Sequence, residues 1–185
     1  MRKLIAGINM TLDGFCDHTA VDPDEEIHDH YTDLLNNSGT VLYGRITYEL
    51  MQYWQELLKN PSGEKAMDEF AVAMDKIPKI VFSNTLKDTG WESAKLANGS
   101  LEKTVSDLKQ SGDGDSGDIL VGSRSLIIQL MKLKLIDELQ LCVHPVVVGS
   151  GLRLFENISD RISLQLTNTK TFKSGAVILY YKLNS

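Results

Sequence analysis

Two short stretches of the sequence place a glycine between an apolar run and a helical pattern, and both suggest anion binding. In the first, residues 41–43 lead into Gly44, Arg45 and Thr47. A glycine allows a ligand to approach the backbone closely, and the free N–H groups at a helix start attract phosphate. Arg45 adds a fixed fork of donors, and Thr47 adds a hydroxyl. Without further support, the same pattern also describes a plain tight turn.

The second stretch has the same design, with the apolar run 118–121 followed by Gly122 and Ser123. Two such turns suit a ligand with two separated phosphates, or one phosphate held from two sides. Neither G-x-G-x-x-G nor G-x-x-x-x-G-K-[ST] occurs, so the pattern does not indicate a standard Rossmann or P-loop site. The sequence therefore predicts a nucleotide or dinucleotide site of another design.

The composition limits the class of protein. With 185 residues, the chain can bury a substantial core, and we expect residues 1–185 to form a single domain. A net charge of -6 argues against nucleic acid as a partner. No apolar stretch approaches a membrane span and the N-terminus lacks a signal-peptide pattern, so we expect no membrane partner and a cytoplasmic location. Cys16 and Cys142 are expected to stay reduced.

The elements that must position these junctions alternate along the chain. Predicted strands cover 4–10, 41–43, 79–83, 91–96, 118–121 and 137–143, and predicted helices cover 25–35, 47–58, 64–75, 100–109 and 125–135. The last two predicted strands, 164–172 and 176–183, form an antiparallel hairpin. The pattern predicts an α/β fold with a mostly parallel sheet, covered on both faces, in which both glycine junctions lie at the carboxyl edge.

Five segments in chain order carry a resemblance to a known family. They are Thr11-Leu12-Asp13-Gly14, 44–49, 80–83, 137–139 and 144–155. The chain resembles dihydrofolate-reductase-like proteins, and it is most similar to the C-terminal reductase domain of the bifunctional riboflavin-biosynthesis deaminase/reductase. The resemblance implies a dihydrofolate-reductase-like three-layer fold, NADPH as cofactor, a heterocyclic substrate and a homodimer. It also implies an oxidoreductase of the 5-amino-6-(5-phosphoribosylamino)uracil reductase type.

The resemblance further implies a cofactor site. The residues that match it are Gly44, Arg45, Thr47, Ser83, Gly122, Ser123 and Arg124. By position, the first three hold the cofactor's phosphates, Ser83 lies beside the adenosine, and Gly122 and Ser123 match a glycine pair under the pyrophosphate. Ser123 replaces the second glycine of that pair. Arg45 and Arg124 are candidates for favouring a 2′-phosphate, because guanidinium binds phosphate in a bidentate manner.

The chain also departs from the family pattern. The zinc-binding H-x-E…P-C-x-x-C pattern of a deaminase domain is absent from the sequence. The acidic residue of dihydrofolate reductases has no single match, since Glu25, Glu26, Asp29 and Asp33 all occur in the first predicted helix. These departures disfavour folate reduction. The unplaced acidic residue, together with the glycine replaced by Ser123, motivates an alternative, a non-catalytic nucleotide-binding or sensing module that retains the fold.

Other polar residues are candidates for the substrate side. Asp13 is the candidate proton donor, although it also fits an Asx turn before Gly14. Asn9 and Thr11 alternate along the first strand and are candidates for binding a heterocyclic ring, or for satisfying backbone groups there. The segment Gly149-Ser150-Gly151 either cradles a substrate phosphate or turns the chain.

Two features resemble metal sites but do not indicate one. His28 and His30 are two residues apart on a predicted helix and point to different sides, unlike the i, i+4 pair of zinc helices. The Asp/Gly alternation in 110–117 resembles a calcium loop, yet it lacks the glutamate at the twelfth position. We therefore expect no metal.

Overall fold

A computed structural model describes residues 1–111, 116–158 and 161–183 of the chain. The strands are β1 (Leu4–Thr11), β2 (Ser38–Gly44), β3 (Lys79–Phe82), β4 (Ala94–Leu96), β5 (Asp118–Val121), β6 (Glu138–His144), β7 (Leu164–Thr171) and β8 (Val177–Leu183). The helices are α1 (Glu25–Asn36), α2 (Arg45–Lys59), α3 (Lys65–Lys76), α4 (Leu101–Gln110) and α5 (Arg124–Lys132).

The strands form one sheet in the order β4-β3-β2-β5-β1-β6-β8-β7. The pairs among β1 to β6 are parallel, whereas β8 pairs antiparallel with both β6 and β7. The predicted α/β fold with a mostly parallel sheet and a C-terminal antiparallel hairpin is therefore confirmed. The chain inserts β5 between β2 and β1, so the carboxyl ends of β2 and β5 lie side by side.

Helices cover both faces of the sheet. Because successive side chains of a strand point to opposite faces, Leu4 and Ile5 enter different cores. Burial on both faces accounts for the nearly continuous apolar runs of the central strands. One core contains Ile5, Val41, Tyr43, Val81 and Leu120 with residues of α1, α2 and α3. Another contains Leu4, Ala6, Leu42, Ile119 and Val121 with residues of α4 and α5.

Two predicted elements are shorter than expected. The predicted strand 91–96 is wrong over its first half, because Ala94 donates its N–H to the Trp91 carbonyl in a turn and pairing begins only there. The prediction that the last helix reaches residue 135 is also wrong. It ends at Lys132, and Lys134 takes a left-handed conformation with φ 55°. The Asp/Gly alternation that resembles a calcium loop falls largely on 112–115, which lie outside the described residues.

Of the helices in the described ranges, the longest has 15 residues, and none combines the length and apolar character needed to cross a bilayer.

Candidate active site

The two strand–helix junctions are in direct contact at the carboxyl edge of the sheet. The Ser123 hydroxyl accepts a hydrogen bond of 2.9 Å from the backbone N–H of Gly44, and both residues are buried. The residue that replaces the expected second glycine therefore joins the junction after β5 to the junction after β2. This contact holds the starts of α5 and α2 next to each other.

The starts of α2 and α5 differ electrostatically from the other helix starts. In the described part of the chain, neither α2 nor α5 has a side-chain cap or an acidic residue in its first turn. By contrast, α1 and α4 are capped by Asp24 and Ser100, and α1, α3 and α4 each have an acidic residue in the first turn. The N–H groups and the positive dipole ends of α2 and α5 are therefore not neutralised locally, which suits an anionic ligand.

The two arginines beside these helix starts are both engaged. Arg45 pairs with Glu49 at 3.0 Å on an exposed surface, and Thr47 lies half-buried in the same turn. Arg124 donates from Nε to the Arg153 carbonyl at 2.6 Å and pairs with Glu156. An exposed ion pair contributes at most about 1 kcal/mol, so Arg45 can exchange Glu49 for a phosphate at little cost. Arg124 is less exposed and is held by two partners.

Ser83 follows β3, which neighbours β2 in the sheet. Its hydroxyl oxygen accepts hydrogen bonds from the backbone N–H groups of Thr85 at 3.1 Å and Leu86 at 2.9 Å. These contacts shape the turn that continues the same sheet edge. Ser83 therefore lies at the same carboxyl edge of the sheet as the two junctions, and its hydroxyl oxygen is already hydrogen-bonded to backbone N–H groups.

A polar cluster lies on the α1 face of the two neighbouring strands β1 and β6. The parallel register sets Asn9 beside Cys142 and Thr11 beside His144. The side-chain oxygen of Asn9 is 3.1 Å from His144 Nε2 and accepts a hydrogen bond of 3.3 Å from the Tyr31 hydroxyl of α1. The Cys142 thiol lies 3.7 Å from the same imidazole nitrogen.

This cluster is held in its uncharged form. Burial lowers the pKa of His144, with a smaller opposing influence of Asp24 and Asp22. Burial also raises the pKa of Tyr31 well above its ordinary value and that of Cys142 to about 12. At neutral pH the cluster therefore offers hydrogen bonds without net charge, which suits a neutral heterocycle.

The carboxylate of Asp13 is bound by the loop that follows β6. It accepts hydrogen bonds from the Thr11 hydroxyl at 2.6 Å, from the Gly149 N–H at 2.7 Å and from the Val148 N–H at 3.2 Å. These donors lower the pKa of Asp13, the Thr11 hydroxyl most of all. The environment favours the anion, whereas a proton donor needs the protonated acid. Thr11 is buried and also accepts the Phe15 N–H.

The loop containing Gly149, Ser150 and Gly151 packs against residues 12–17. Gly149 and Gly151 have φ values of 78° and 139°, which favour glycine. A Cβ on Gly151 would lie 2.1 Å from a carboxylate oxygen of Asp17, and that oxygen accepts the Leu152 N–H at 2.7 Å. The segment turns the chain.

The model of the RibD C-terminal domain family matches residues 2–178. The chain belongs to the RibD C-terminal domain family. It is 35% identical over 190 residues to the uncharacterized protein YyaP of Bacillus subtilis (strain 168), covering 99% of this chain and 96% of YyaP. It is 28% identical over 186 residues to the uncharacterized protein YwjB of the same organism, covering 97% of each.

Solved structures share the fold. A protein from Shewanella sp. PV-4, named a candidate riboflavin biosynthesis protein, has a TM-score of 0.74 at 19% identity, with 99% of each chain covered. Dihydrofolate reductase from Enterococcus faecalis, complexed with NADP(H), has a TM-score of 0.63 at 16% identity, with 99% and 97% covered. These likenesses confirm the predicted dihydrofolate-reductase-like fold.

The bifunctional diaminohydroxyphosphoribosylaminopyrimidine deaminase/5-amino-6-(5-phosphoribosylamino)uracil reductase of Thermotoga maritima also shares the fold. Its TM-score is 0.66 at 14% identity, and the match covers 99% of this chain but 57% of that longer protein. The present RibD C-terminal domain chain therefore corresponds to one part of the bifunctional protein.

Sequence reasoning missed three residues that contact the candidate site residues of this RibD-family chain. Tyr31 and His144 complete the hydrogen bonds of Asn9, and Asp17 anchors the loop after β6. The register of β1 on β6 would have predicted the proximity of His144, but that pairing joins strands more than 120 residues apart in sequence.

The acidic and imidazole side chains of α1 do not converge. Glu26 accepts the Lys173 N–H at 2.9 Å, His28 packs edge-on against Trp54 and Phe70, and His30 packs against Phe172. Within the described residues, no group of three or more His, Cys, Asp or Glu side chains is arranged to hold a metal ion.

Proposed function

We propose that the protein is an NADPH-dependent oxidoreductase that reduces a small heterocyclic substrate of the pyrimidine type. The observation that carries the proposal is the pair of uncapped, acid-free helix starts of α2 and α5, joined by the Ser123–Gly44 hydrogen bond. A dinucleotide presents two adjacent phosphates, and two adjacent helix N-termini are suited to bind them.

The residues proposed to hold the cofactor follow from this arrangement. They are Gly44, Arg45, Thr47, Ser83, Gly122, Ser123 and Arg124. A Cβ at Gly122 would make ordinary van der Waals contact with the Tyr43 ring at 3.6 Å and the Gly7 carbonyl oxygen at 3.8 Å. Arg45 is the preferred candidate for the 2′-phosphate because its guanidinium is exposed and held by one carboxylate. The bound nicotinamide would supply the hydride.

Asn9 is proposed to orient the substrate. His144 and Tyr31 fix its amide, and the cluster they form is uncharged at neutral pH. Thr11 and the loop 149–151 complete this side of the cleft. We assign Asp13 a positioning role, in which its carboxylate fixes that loop, since the pKa of Asp13 is lowered.

A second candidate function is a non-catalytic nucleotide-binding or sensing module with the same fold. It is favoured by Ser123, whose hydroxyl is used for an internal hydrogen bond where the family pattern has a glycine. Binding of NADPH without turnover of any pyrimidine, pterin or quinone in a broad panel would support this module.

The homodimer and the cytoplasmic location remain predictions. Light scattering on the purified protein tests the homodimer.

Fluorescence titrations with NADPH and NADH at two salt concentrations test the proposed function. We expect NADPH to bind at least tenfold more tightly, or about 1.4 kcal/mol, and the preference to weaken with salt. Arg45→Ala should remove most of that preference. Lys59→Ala is the matched control, because Lys59 also forms an exposed ion pair on α2, with Glu56 at 2.8 Å. Absence of binding by either nucleotide would reject the proposal.

A further inference from the structure

Backbone N–H groups converge on a carboxylate where the loop after β6 meets the loop after β1. The N–H groups of Val148 and Gly149 both donate to Asp13 Oδ2, at 3.2 and 2.7 Å. Successive N–H groups that point to one spot form an anion-binding nest. In this protein the nest is filled by a side chain of the protein itself.

A second carboxylate occupies the other end of the same loop. Asp17 Oδ2 accepts the Leu152 N–H at 2.7 Å and lies where a Cβ of residue 151 would be. The chain therefore needs glycine at position 151 for the Asp17 carboxylate to reach the loop. Together, the two aspartates bring two negative charges to the segment for which a phosphate cradle is one of the two sequence-based alternatives.

The two arginines of this region already have partners of their own. Arg124 pairs with Glu156, and the Arg153 guanidinium lies 5.0 Å from the centre of the Phe15 ring. A phosphate monoester has a charge of about -1.5 to -2 at neutral pH. It would meet the Asp13 and Asp17 carboxylates and find the N–H groups of Val148, Gly149 and Leu152 already used, so its binding to those groups would require displacement of a carboxylate.

We propose that Asp13 and Asp17 are specificity determinants that exclude a phosphate group from this end of the cleft and select an unphosphorylated heterocycle. The inference rests on the proposed function and defines its substrate class. The uncharged cluster of Asn9, Tyr31 and His144 on the neighbouring strands agrees with it, because a neutral ring needs hydrogen bonds and no counter-charge.

Titration with inorganic phosphate, followed by the amide NMR signals of Val148 and Gly149, tests this exclusion without any turnover. We expect no saturable shift in the wild-type protein and a saturable shift in Asp13→Asn, with Asp17→Asn as the second variant if the first does not fold. Asp68→Asn is the matched control. Asp68 accepts the Ser62 and Gly63 N–H groups at 2.9 and 3.1 Å in the same manner, near the start of α3.

A saturable shift in the wild-type protein would overturn the inference. It would also be overturned if neither aspartate variant gained phosphate binding, because the carboxylates would then not be what excludes the anion. A gain in Asp68→Asn equal to that in Asp13→Asn would contradict the assignment to this loop.

A pair of substrates tests the same inference through catalysis. With NADPH, kcat/KM for 5-amino-6-ribosylaminouracil should exceed kcat/KM for its 5′-phosphate at least tenfold. In Asp13→Asn the ratio of these two kcat/KM values should fall severalfold, because the KM for the phosphate decreases. Equal rates or a preference for the phosphate would overturn the inference. If neither compound is reduced and no NADPH binds, the proposed function fails, while the phosphate titration still decides the inference.

Discussion

Ser123 and Gly44 connect two parts of the chain that are 79 residues apart, through a buried hydrogen bond of 2.9 Å from the Gly44 N–H to the Ser123 hydroxyl. The bond joins β5 and β2 at their carboxyl ends, where α5 and α2 begin. Helix starts that bind neighbouring phosphates of one ligand must keep a constant separation. This hydrogen bond provides such a constraint.

Ser123→Ala should therefore weaken both the fold and the site. The buried N–H of Gly44 would lose its partner, and an unsatisfied buried donor costs about 1–3 kcal/mol. Urea denaturation should show this loss, and the dissociation constant for NADPH should rise. Ser125→Ala is the control for the stability measurement, because Ser125 is exposed on the same first turn. Unchanged stability in Ser123→Ala would show that another group or water satisfies Gly44.

Gly151→Ala should destabilise the protein more than Gly149→Ala. Both positions have a positive φ, but a Cβ at 151 would lie 2.1 Å from Asp17, whereas a Cβ at 149 would have no atom within 4 Å. We expect a loss of about 1–3 kcal/mol at 151 from backbone strain and displacement of Asp17. Denaturation of the two variants side by side measures the difference. Equal losses would mean that backbone strain alone accounts for both.

The free energy of unfolding should decrease as the pH falls from about 6.5 towards 4. Burial, with Lys170 nearby, lowers the pKa of His30 to about 4, and its Nε2 atom is buried without a hydrogen-bond partner in the described structure. Over this range the unfolded state binds a proton that the folded state does not, so acid favours unfolding. Burial lowers the pKa of His144 as well, so protonation of His144 also favours unfolding as the pH falls.

The variant His30→Gln should make that pH dependence shallower, as measured by urea denaturation at several pH values between 4.5 and 6.5. His18→Gln is the control, because His18 is exposed in the loop after β1. If His30→Gln left the slope of the wild-type protein unchanged, His30 would not be the group responsible.

Between pH 8 and 9, Lys79 should make the protein more stable as the pH rises. Lys79 is 1% exposed, and its Nζ donates to Ser93 Oγ at 2.7 Å and to the Ile77 carbonyl at 3.0 Å. Burial lowers its pKa to about 8, with Asp75 opposing. Above pH 8 the folded state loses a proton that the unfolded state keeps up to about 10.5, so the free energy of unfolding increases.

Lys79→Met should abolish that increase, and Lys59→Met, on an exposed turn of α2, should not. The measurement is stopped at pH 9 because of the Cys142 thiol, whose pKa is raised to about 12. Above that pH the thiol loses its proton in the unfolded state but not in the folded state, which lowers the free energy of unfolding. If the free energy of unfolding of Lys79→Met increased between pH 8 and 9 as steeply as that of the wild-type protein, Lys79 would not be the group responsible.

Much of the fold was predictable because its signals are local. The apolar runs before Gly44 and Gly122, and the helical periodicity after them, lie within about 15 residues of each other. Ser100 begins the predicted helix 100–109, and it caps α4 by accepting the Lys103 N–H at 3.2 Å. Where local signals were weak, as at residues 91–93 and 133–135, the expected elements were too long.

The chemistry of individual side chains was less predictable, because it depends on partners remote in sequence. Asp13 was a candidate proton donor, yet its carboxylate binds N–H groups 135 and 136 residues away. Arg124 is a candidate for phosphate, and its contacts with Glu156 and the Arg153 carbonyl join residues 32 and 29 positions away. Neither contact has a local signature.

The sequence by itself determined the order of strands and helices, the two glycine junctions and the family, because periodicity, turn residues and motif order are properties of neighbouring positions. Only the tertiary structure decided which junctions meet, which carboxylates are free and which polar groups remain uncharged. The insertion of β5 between β2 and β1 brings Ser123 to Gly44, and the register of β6 on β1 brings His144 near Asn9. Such contacts arise from strand pairing across long sequence separations, which local residue preferences do not encode.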